Sequence, residues 1–385
     1  MKLIFSLDPM LVSMTGIGRY TYELAKGLRD SGQFSDIRYQ FLLGWVKDPD
    51  VIISKYHAHD KPHEGAPKST FRKWIHSTAR SIFFATSPTV KGLICRPYRG
   101  YIYHSPNFVL PNFAGKLVST VHDMSVFRVP QFHPEHRIQY QQSIFPKLIK
   151  KADLFITVSE FSKIELIDFF KVSPDRVVSV PNGVDPLFHP RSEASLKPIL
   201  EKYGLVANLY TLSVGTIEPR KNIECLIDVY ASLPAALRFQ FPLVLVGSYG
   251  WSSESIHQKI AKYSQEGWLK YLLFVPDHDL ASIYAGARLF ACISHYEGFG
   301  LPVLEAMASG VPVIASNAPA LVEVGGDAVV YVDPNSKEAI RQAIVDTLGD
   351  DRGSTILSSR GLAQARRFSW GRCTQETMDA YRLIA

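Results

Sequence analysis

The sequence predicts an α/β protein with two doubly wound parallel sheets, and three observations support this fold class. Short apolar runs alternate with helical patterns along the chain, several of these runs are continuously apolar, and the alternation falls into two blocks. Continuously apolar runs are expected of parallel strands covered on both faces, and strand–helix alternation is typical of parallel sheets. The chain has 385 residues, of which 46% are hydrophobic, so two or three domains with large cores are expected.

The apolar runs predict the strands of both sheets. In the first half of the chain they cover residues 2–7, 37–43, 101–104, 116–121, 154–158 and 177–180. In the second half they cover residues 210–214, 243–246, 272–275, 289–293, 312–316 and 328–332.

Helix boundaries are visible between some of these strands. Asn222 is expected to cap a helix, because apolar residues follow it at the spacing of one helical face, namely Ile223, Leu226, Ile227 and Tyr230. Pro302 and Gly310 mark the expected first turn and end of another helix. The segment 186–198 has three prolines between the two strand-rich halves, so it is the predicted domain boundary.

Composition excludes several classes of protein. No apolar run approaches the roughly 18 residues that a membrane-spanning helix requires, and the first eight residues are apolar for too few positions to form a signal peptide. The cysteines are scattered without a C-x-x-C pair, which argues against a disulfide framework and a zinc site; they are Cys95, Cys225, Cys292 and Cys373. A cytoplasmic protein is therefore expected.

Positive charge is concentrated in one part of the chain. The net charge is +6, and residues 44–100 contain ten Lys or Arg but only four Asp or Glu. Such a region suits phosphate, an anionic membrane or nucleic acid, although a solvated loop region would have the same composition. Within it, residues 71–84 form a basic amphipathic pattern that is typical either of a membrane-surface helix or of a helix packed on its own domain.

The most informative pattern lies between residues 294 and 313. A predicted strand ends near Ile293, and the loop Gly298–Leu301 then opens a helix whose first amides suit an anion. Glu297 and Glu305 flank this loop. Carboxylates repel phosphate, so we expect these two to bind the hydroxyl groups of a sugar or a ribose.

A second pattern follows another predicted strand in the same half. Gly215 and Thr216 begin a short loop that leads to Arg220 and Lys221. Arginine binds phosphate through two donors, and lysine acts as a point charge. If this loop faces Glu297, the two cations can neutralise a diphosphate without a metal ion.

Two weaker candidates lie in the first half. Gly16 and Gly18 allow a ligand close to the backbone, but Thr21 replaces the third glycine of a dinucleotide-binding fingerprint. His122 follows the strand 116–121 and is placed either to contact a ligand or to serve a structural role. Asp277 and Asp279 match a metal-binding spacing, but helix capping explains them, so no metal site is predicted.

Together these residues resemble glycosyltransferase family 4, whose members are retaining transferases with the GT-B fold, two Rossmann-like domains facing a cleft. The resemblance covers nearly the whole chain: Glu297 and Glu305 match the family's E-x7-E pattern, and residues 215–222 resemble its donor-phosphate loop. Further similar segments are 156–162, 180–185 and 368–370. The resemblance implies an acceptor-binding domain over 1–187, a nucleotide-sugar-binding domain over 188–366, and a C-terminal helix over 367–385 that returns to the first domain.

The resemblance also implies residue roles. Glu297 would contact the donor sugar, Glu305 the ribose, and His122 the transferred sugar. Arg220 and Lys221 would hold the diphosphate, and Thr216 stands where many members have an arginine. The remaining donor-binding positions implied are Gly16, Gly18, Gly215, Val275, Gly298, Phe299, Gly300 and Leu301.

The activity implied is transfer with retention of configuration, in which the leaving diphosphate accepts the acceptor's proton and no metal or other cofactor takes part. The wording of the glycine and Arg-Lys motifs resembles bacterial polysaccharide mannosyltransferases, which favours GDP-mannose as donor and a lipid-linked or growing glycan as acceptor. Peripheral contact with an anionic membrane is a further expectation, and a nucleic-acid partner is not. Alternatives are a UDP-sugar donor, an NAD-dependent oxidoreductase and a non-catalytic sugar-binding protein.

Overall fold

The computed structural model describes residues 1–11, 16–54 and 88–385. The predicted amphipathic segment 71–84 lies outside the described residues. Within the described ranges the strands form two sheets. The chain divides into a first unit, made of Met1–Met124, Gln139–Pro181 and Trp370–Ala385, and a second unit, made of Ser125–Ile138 and Asn182–Ser369.

The sheet of the first unit has the strand order β3-β2-β1-β4-β5-β6-β7. Its strands are β1 (Lys2–Ser6), β2 (Asp36–Phe41), β3 (Gly44–Val46), β4 (Ile102–Ser105), β5 (Lys116–Val121), β6 (Leu154–Thr157) and β7 (Val177–Ser179). All neighbours pair in parallel except β3, which pairs antiparallel with β2. The larger described helices are Ile17–Asp30, Glu135–Lys151, Glu160–Phe170 and Trp370–Arg382.

The sheet of the second unit has the order β10-β9-β8-β11-β12-β13, and every neighbouring pair is parallel. Its strands are β8 (Thr211–Val214), β9 (Leu243–Val246), β10 (Leu269–Leu272), β11 (Leu289–Cys292), β12 (Val313–Ser316) and β13 (Val330–Val332). Its helices include Glu193–Lys202, Ile223–Ala231, Ala235–Gln240, Glu254–Gln265, Asp277–Ala285, Leu301–Ala308, Pro319–Gly325, Lys337–Gly349 and Asp351–Ala365.

The apolar strands behave as parallel strands between two helical layers should. Strands β4, β6, β9 and β11 are buried at every residue. Because helices cover both faces of each sheet, the loops at the carboxyl ends of the strands are left to reach solvent. Open parallel sheets bind their ligands at these loops.

All twelve predicted strands overlap observed ones, and eleven of them do so over most of their length. The prediction 272–275 shares only Leu272 with β10, which covers Leu269–Leu272 and directly follows Trp268, a fully buried residue of the core. Leu273 and Phe274, on which the prediction depended, are 47% and 43% exposed. Strand β3 was not predicted, since its three residues carry too little pattern to detect.

The helix boundaries were partly predicted. Helix Ile223–Ala231 is present, but Asn222 does not cap it through its side chain: Asn222 has φ 57° and donates its amide to the Pro334 carbonyl at 2.8 Å. Helix Leu301–Ala308 has Pro302 in its first turn and Gly310, with φ 77°, just after its end, as predicted. The predicted linker 186–198 is partly helical, because helix Glu193–Lys202 begins inside it.

The C-terminal helix Trp370–Arg382 packs on helix Ile17–Asp30 within the first unit. The contact is close, because a Cβ added at Gly27 would lie 2.1 Å from Thr374 Oγ1. Among the described helices we found none with the length and apolar content that crossing a bilayer requires.

Candidate active site

Glu297 lies in the loop after β11 and is held by three side chains of the second unit. Its Oε1 accepts hydrogen bonds from Lys221 Nζ at 2.6 Å and Ser294 Oγ at 2.7 Å. Its Oε2 accepts from Arg220 Nη1 at 3.2 Å. The structure therefore brings Glu297 into contact with Arg220 and Lys221, which precede it in the sequence by 77 and 76 residues.

These contacts keep Glu297 ionised although it is only 7% exposed. Burial opposes the charge, but the charges of Lys221 and Arg220 and the hydrogen bonds from Lys221 and Ser294 outweigh it and lower the pKa of Glu297 to about 2. A carboxylate with this pKa cannot donate a proton at neutral pH. It can accept hydrogen bonds from hydroxyl groups.

Arg220 is oriented by a second carboxylate. Its Nη2 lies 2.8 Å from Glu218 Oε1, and its Nη1 donates to the Tyr296 carbonyl at 2.7 Å. Glu218 is 2% exposed. The formal charges of Arg220, Lys221, Glu218 and Glu297 sum to zero, so a bound diphosphate would compete with the carboxylates for the cations.

The loop with Arg220 and Lys221 is fixed by a neighbouring loop. Ile217 donates its N–H to the Ser248 carbonyl at 3.0 Å, and Gly250 donates to the Ile217 carbonyl at 3.1 Å. A Cβ at Gly247 would lie 1.9 Å from the Gly215 carbonyl oxygen, so only glycine fits there. Gly215 itself has φ 153°, a conformation that other residues rarely adopt, and a Cβ there would make only an ordinary contact with Lys221 Cε at 3.7 Å.

Thr216 occupies the position where the family resemblance suggested an arginine. Its methyl group lies against the neighbouring loop, 2.9 Å from where a Cβ of Gly250 would be. Because Thr216 replaces that arginine, the cationic groups of this loop are Arg220 and Lys221, as predicted from the sequence.

The predicted anion-binding helix begins where expected. Gly300 precedes helix Leu301–Ala308 with φ 114°, and a Cβ there would lie 2.5 Å from Leu321 Cδ2. The first N–H groups of any helix lack an intrahelical partner, so the first turn after Gly300 presents donors. Phe299 is 5% exposed and its ring contacts Phe368 edge-on at 5.9 Å, so its side chain packs and only its backbone is left for a ligand.

The other predicted donor-binding residues of the second unit lie in or near the segments that follow strands β10 and β11. Glu305 lies within helix Leu301–Ala308 and is 9% exposed. Gly298 lies in the loop before that helix. Val275 follows the edge strand β10 and is 4% exposed. Since β9 and β8 separate β10 from β11, Val275 follows an edge strand and Glu297 follows an interior strand that is not its neighbour. Ligand contacts of these residues remain predictions.

Three predicted residues belong to the first unit. Gly16 precedes helix Ile17–Asp30 with φ 48°, and a Cβ there would meet no atom of the described part of the chain within 4 Å. Gly18 is buried in the first turn of that helix. His122 directly follows β5 and is only partly buried.

The hydrogen bond of His122 defines its tautomer. Its Nε2 lies 2.9 Å from the Pro106 carbonyl oxygen, which can only accept, so Nε2 carries the proton. Burial lowers the pKa of His122 below its usual value, so the ring is neutral at pH 7. Nδ1 is then an acceptor, which suits a sugar hydroxyl.

Several residues near Glu297 were missed by the sequence analysis. Ser294 and Glu218 bind Glu297 and Arg220, and only their nearness to the motifs could have suggested them. Phe132 was also missed: its ring stacks on His295 at 4.9 Å, and its carbonyl accepts from Trp251 Nε1 at 2.8 Å. Phe132 belongs to Ser125–Ile138, a segment that follows β5 in the chain but is part of the second unit.

The predicted capping role of Asp277 and Asp279 is wrong. The helix begins at Asp277 without a side-chain cap, and Asp279 instead accepts from Lys202 Nζ at 2.6 Å and Tyr203 Oη at 2.7 Å. Across the described ranges, no three His, Cys, Asp or Glu side chains are grouped as metal ligands. Activity without a metal stays a prediction.

Two parallel-sheet, Rossmann-like units, one of which carries a carboxylate–cation cluster beside a helix start, define the class: a glycosyltransferase of the GT-B type. The family described as "Glycosyltransferase Family 4" matches residues 14–187, and "Glycosyl transferases group 1" matches residues 200–362. The chain belongs to these glycosyltransferase families, as predicted, and is an enzyme of that class.

Relatives support the assignment over the full chain. O-antigen chain mannosyltransferase B of Escherichia coli is 39% identical over 384 residues, which is 100% of both chains. Serotype-specific mannosyltransferase WbdA of Escherichia coli is 30% identical over 281 residues, or 70% of this chain, but this chain covers only 34% of that protein.

Solved structures agree on the fold. Anabaena Alr3699/HepE in complex with UDP and glucose superposes with a TM-score of 0.72 at 20% identity, with 99% of each chain covered. WaaG, a glycosyltransferase involved in lipopolysaccharide biosynthesis, gives 0.68 at 16% identity, with 98% of each chain covered. The full-length relative that is 39% identical favours the glycosyltransferase over the oxidoreductase alternative.

Proposed function

We propose that this protein transfers mannose from GDP-mannose to a lipid-linked or growing glycan during synthesis of a bacterial surface polysaccharide, with retention of configuration. Support for mannose and for the glycan comes from the full-length similarity to O-antigen chain mannosyltransferase B. A third mannosyltransferase, the MMP alpha-(1->4)-mannosyltransferase of Mycolicibacterium hassiacum, is 30% identical over 240 residues, 61% of this chain.

The observation that carries the proposed chemistry is the ionised Glu297 between Lys221 and Arg220. Its carboxylate accepts hydrogen bonds from sugar hydroxyls, while the two cations and the first amides of helix Leu301–Ala308 stabilise the charge that builds on the leaving diphosphate. The bond between the anomeric carbon and the phosphate oxygen breaks, the bond to the acceptor oxygen forms, and the acceptor's proton moves to the diphosphate. No protein nucleophile takes part.

His122 is the proposed sugar contact of the first unit. With Nε2–H donating to Pro106, its Nδ1 accepts a hydrogen bond from a hydroxyl of the transferred mannose. Gly16 and Gly18 are the proposed positions of close donor approach at the start of helix Ile17–Asp30, because a Cβ at Gly16 would meet none of the described atoms within 4 Å. No metal or separate cofactor is assigned to the reaction.

A donor panel tests this function. GDP-mannose, UDP-glucose, UDP-GlcNAc and ADP-glucose are each offered with a lipid-linked mannosylated acceptor, and the anomeric configuration of the product is read by NMR. We expect turnover with GDP-mannose and an α-linked product from the α-linked donor. Preference for a UDP-sugar would instead support the alternative donor class, and an inverted product would exclude retention.

Peripheral contact with an anionic membrane is part of the proposal, because a lipid-linked acceptor lies at a membrane. The first unit exposes Leu43, Trp45 and Leu93 at 43%, 38% and 63%, and Arg96 and Arg99 are exposed after the helical residues 88–95. Apolar and aromatic groups beside cations favour an anionic interface. We expect salt-sensitive sedimentation with phosphatidylglycerol vesicles, and no binding at any salt concentration would contradict it.

A further inference from the structure

A buried chain of polar side chains runs beneath His122 in the first unit. Tyr20 Oη lies 3.0 Å from Thr120 Oγ1, which lies 2.8 Å from His104 Nε2. His104 Nδ1 lies 2.5 Å from Tyr381 Oη. All four side chains are 0% exposed, so this chain is shielded from water and each bond has few alternatives.

Four elements of the first unit meet in this hydrogen-bonded chain. Tyr20 comes from helix Ile17–Asp30, Thr120 and His104 come from β5 and β4, and Tyr381 comes from helix Trp370–Arg382. Helix Ile17–Asp30 follows Gly16, and β5 ends one residue before His122. These hydrogen bonds therefore connect the C-terminal helix to the elements that carry Gly16 and His122, the two predicted ligand-binding positions.

Tyr20 also contacts His122 directly. The two rings lie edge-on with centroids 4.9 Å apart and an interplanar angle of 86°. Trp370 lies on another side of Tyr20, with ring centroids 6.3 Å apart. The Tyr20 ring is thus held by its hydroxyl and its packing, and His122 is held between this ring and the Pro106 carbonyl at 2.9 Å.

We propose that Tyr20 is a positioning residue for the transfer reaction: held by the Thr120–His104–Tyr381 chain, it fixes the His122 ring so that Nε2 binds Pro106 and Nδ1 faces the transferred sugar. The inference rests on the proposed function. If the edge-on contact were lost, the His122 ring would rotate about its side-chain bonds and admit water. Both changes weaken His122 Nδ1 as a hydrogen-bond acceptor, and this atom must be in position before the sugar binds.

The test separates positioning from plain structural support. Tyr20→Leu removes the ring contact, and Thr120→Val removes both hydrogen bonds of its hydroxyl with little change of shape. Matched controls are Tyr39→Leu, a tyrosine 2% exposed whose hydroxyl donates to the Ala25 carbonyl, and Thr21→Val, a threonine 0% exposed that bonds to the Ile17 carbonyl. Each is made with His122 intact and in a His122→Ala background.

We expect Tyr20→Leu to lower kcat about tenfold with little change in donor KM, and to have less than about a twofold effect once His122 is alanine. The controls should have the same effect in both backgrounds. An equal, additive loss from Tyr20→Leu in both backgrounds would overturn the proposal. If Tyr20→Leu does not fold, Thr120→Val decides by the same comparison, with an expected loss of about threefold.

A second readout does not depend on activity. The chain has 12 histidines, so the His122 signal in a histidine NMR titration of the full chain is identified by its loss in His122→Ala. In Tyr20→Leu and Thr120→Val, but not in the controls, the pKa of His122 should rise toward its usual value. An unchanged titration would reject the positioning role, whereas a protein inactive with every donor would reject only the proposed function.

Discussion

At the residue scale, the ionisation state of Glu297 is set by the side chains that contact it. It is buried, which alone would favour the neutral acid, yet Lys221, Arg220 and Ser294 all donate to it. Removing any of the three donors removes a constraint on the orientation of the carboxylate, and removing Lys221 or Arg220 also changes the local charge balance. The cluster is therefore the place where single substitutions should have the largest effect on activity.

Lys221→Ala should lower transfer about a hundredfold or more, because it removes a cation from the leaving diphosphate and a donor from Glu297. Steady-state kinetics with the preferred donor measure the effect. Lys259→Ala is the control, since Lys259 forms ion pairs with Glu224 and Asp228 in the same unit. Wild-type turnover of Lys221→Ala would remove this residue from the site.

Glu297 should also make stability depend on pH. Its folded pKa of about 2 is below the usual 4.5, so its stabilising contribution is present above about pH 4.5 and is lost as the pH falls toward 2. The contribution is roughly 3 kcal/mol, of which about 1 kcal/mol is lost between pH 6 and 3.5.

Denaturant unfolding of wild type and Glu297→Gln at several pH values measures this dependence. The glutamine variant should lack this part of the decrease, because it has no proton to gain. Parallel curves for the two proteins between pH 6 and 3.5 would show that Glu297 has an ordinary pKa.

At the element scale, the start of helix Leu301–Ala308 depends on one glycine. Gly300→Ala places a Cβ against Leu321 and a side chain at φ 114°, so we expect a loss of about 1–3 kcal/mol in the free energy of unfolding and much lower activity. Thermal and denaturant unfolding measure the first effect.

Gly349→Ala provides the comparison for this change. Gly349 lies at the end of helix Lys337–Gly349, where a Cβ would meet no atom of the described residues within 4 Å. We expect stability unchanged or slightly raised and full activity. If the two alanine variants behave alike, the helix start at Gly300 is not the constrained feature that its geometry indicates.

Secondary structure was predictable where the signal was local. Strands such as β9 and β11 are short apolar runs buried on both faces, and their sequence shows this directly. β10 was misplaced because an edge strand is half-exposed, and Trp268 decides its register through the core. Asn222 occupies the N-cap position as predicted, but its side chain makes no capping hydrogen bond, because its amide binds Pro334, 112 residues away.

At the scale of the whole molecule, the reaction should not need a metal ion. Lys221, Arg220 and the helix start supply the positive potential that a divalent cation supplies in other enzymes. Transfer should therefore keep at least about half of its rate in EDTA, assayed against the same protein with added Mg²⁺ or Mn²⁺. Strict dependence on added metal would contradict this expectation.

The sequence by itself determined the fold class, the glycosyltransferase family and most residues of the Glu297 cluster. It could do so because parallel strands are locally apolar and because the loop motifs expected to bind phosphate and sugar are short and continuous.

Only the tertiary structure decided how those residues act. The Lys221–Glu297 pair spans 76 residues, and the His104–Tyr381 contact spans 277. The tautomer of His122 depends on Pro106, 16 residues earlier, and the segment Ser125–Ile138 joins the second unit although it follows β5. Protonation, orientation and burial arise from such distant contacts, and local sequence patterns carry no information about which distant groups will meet.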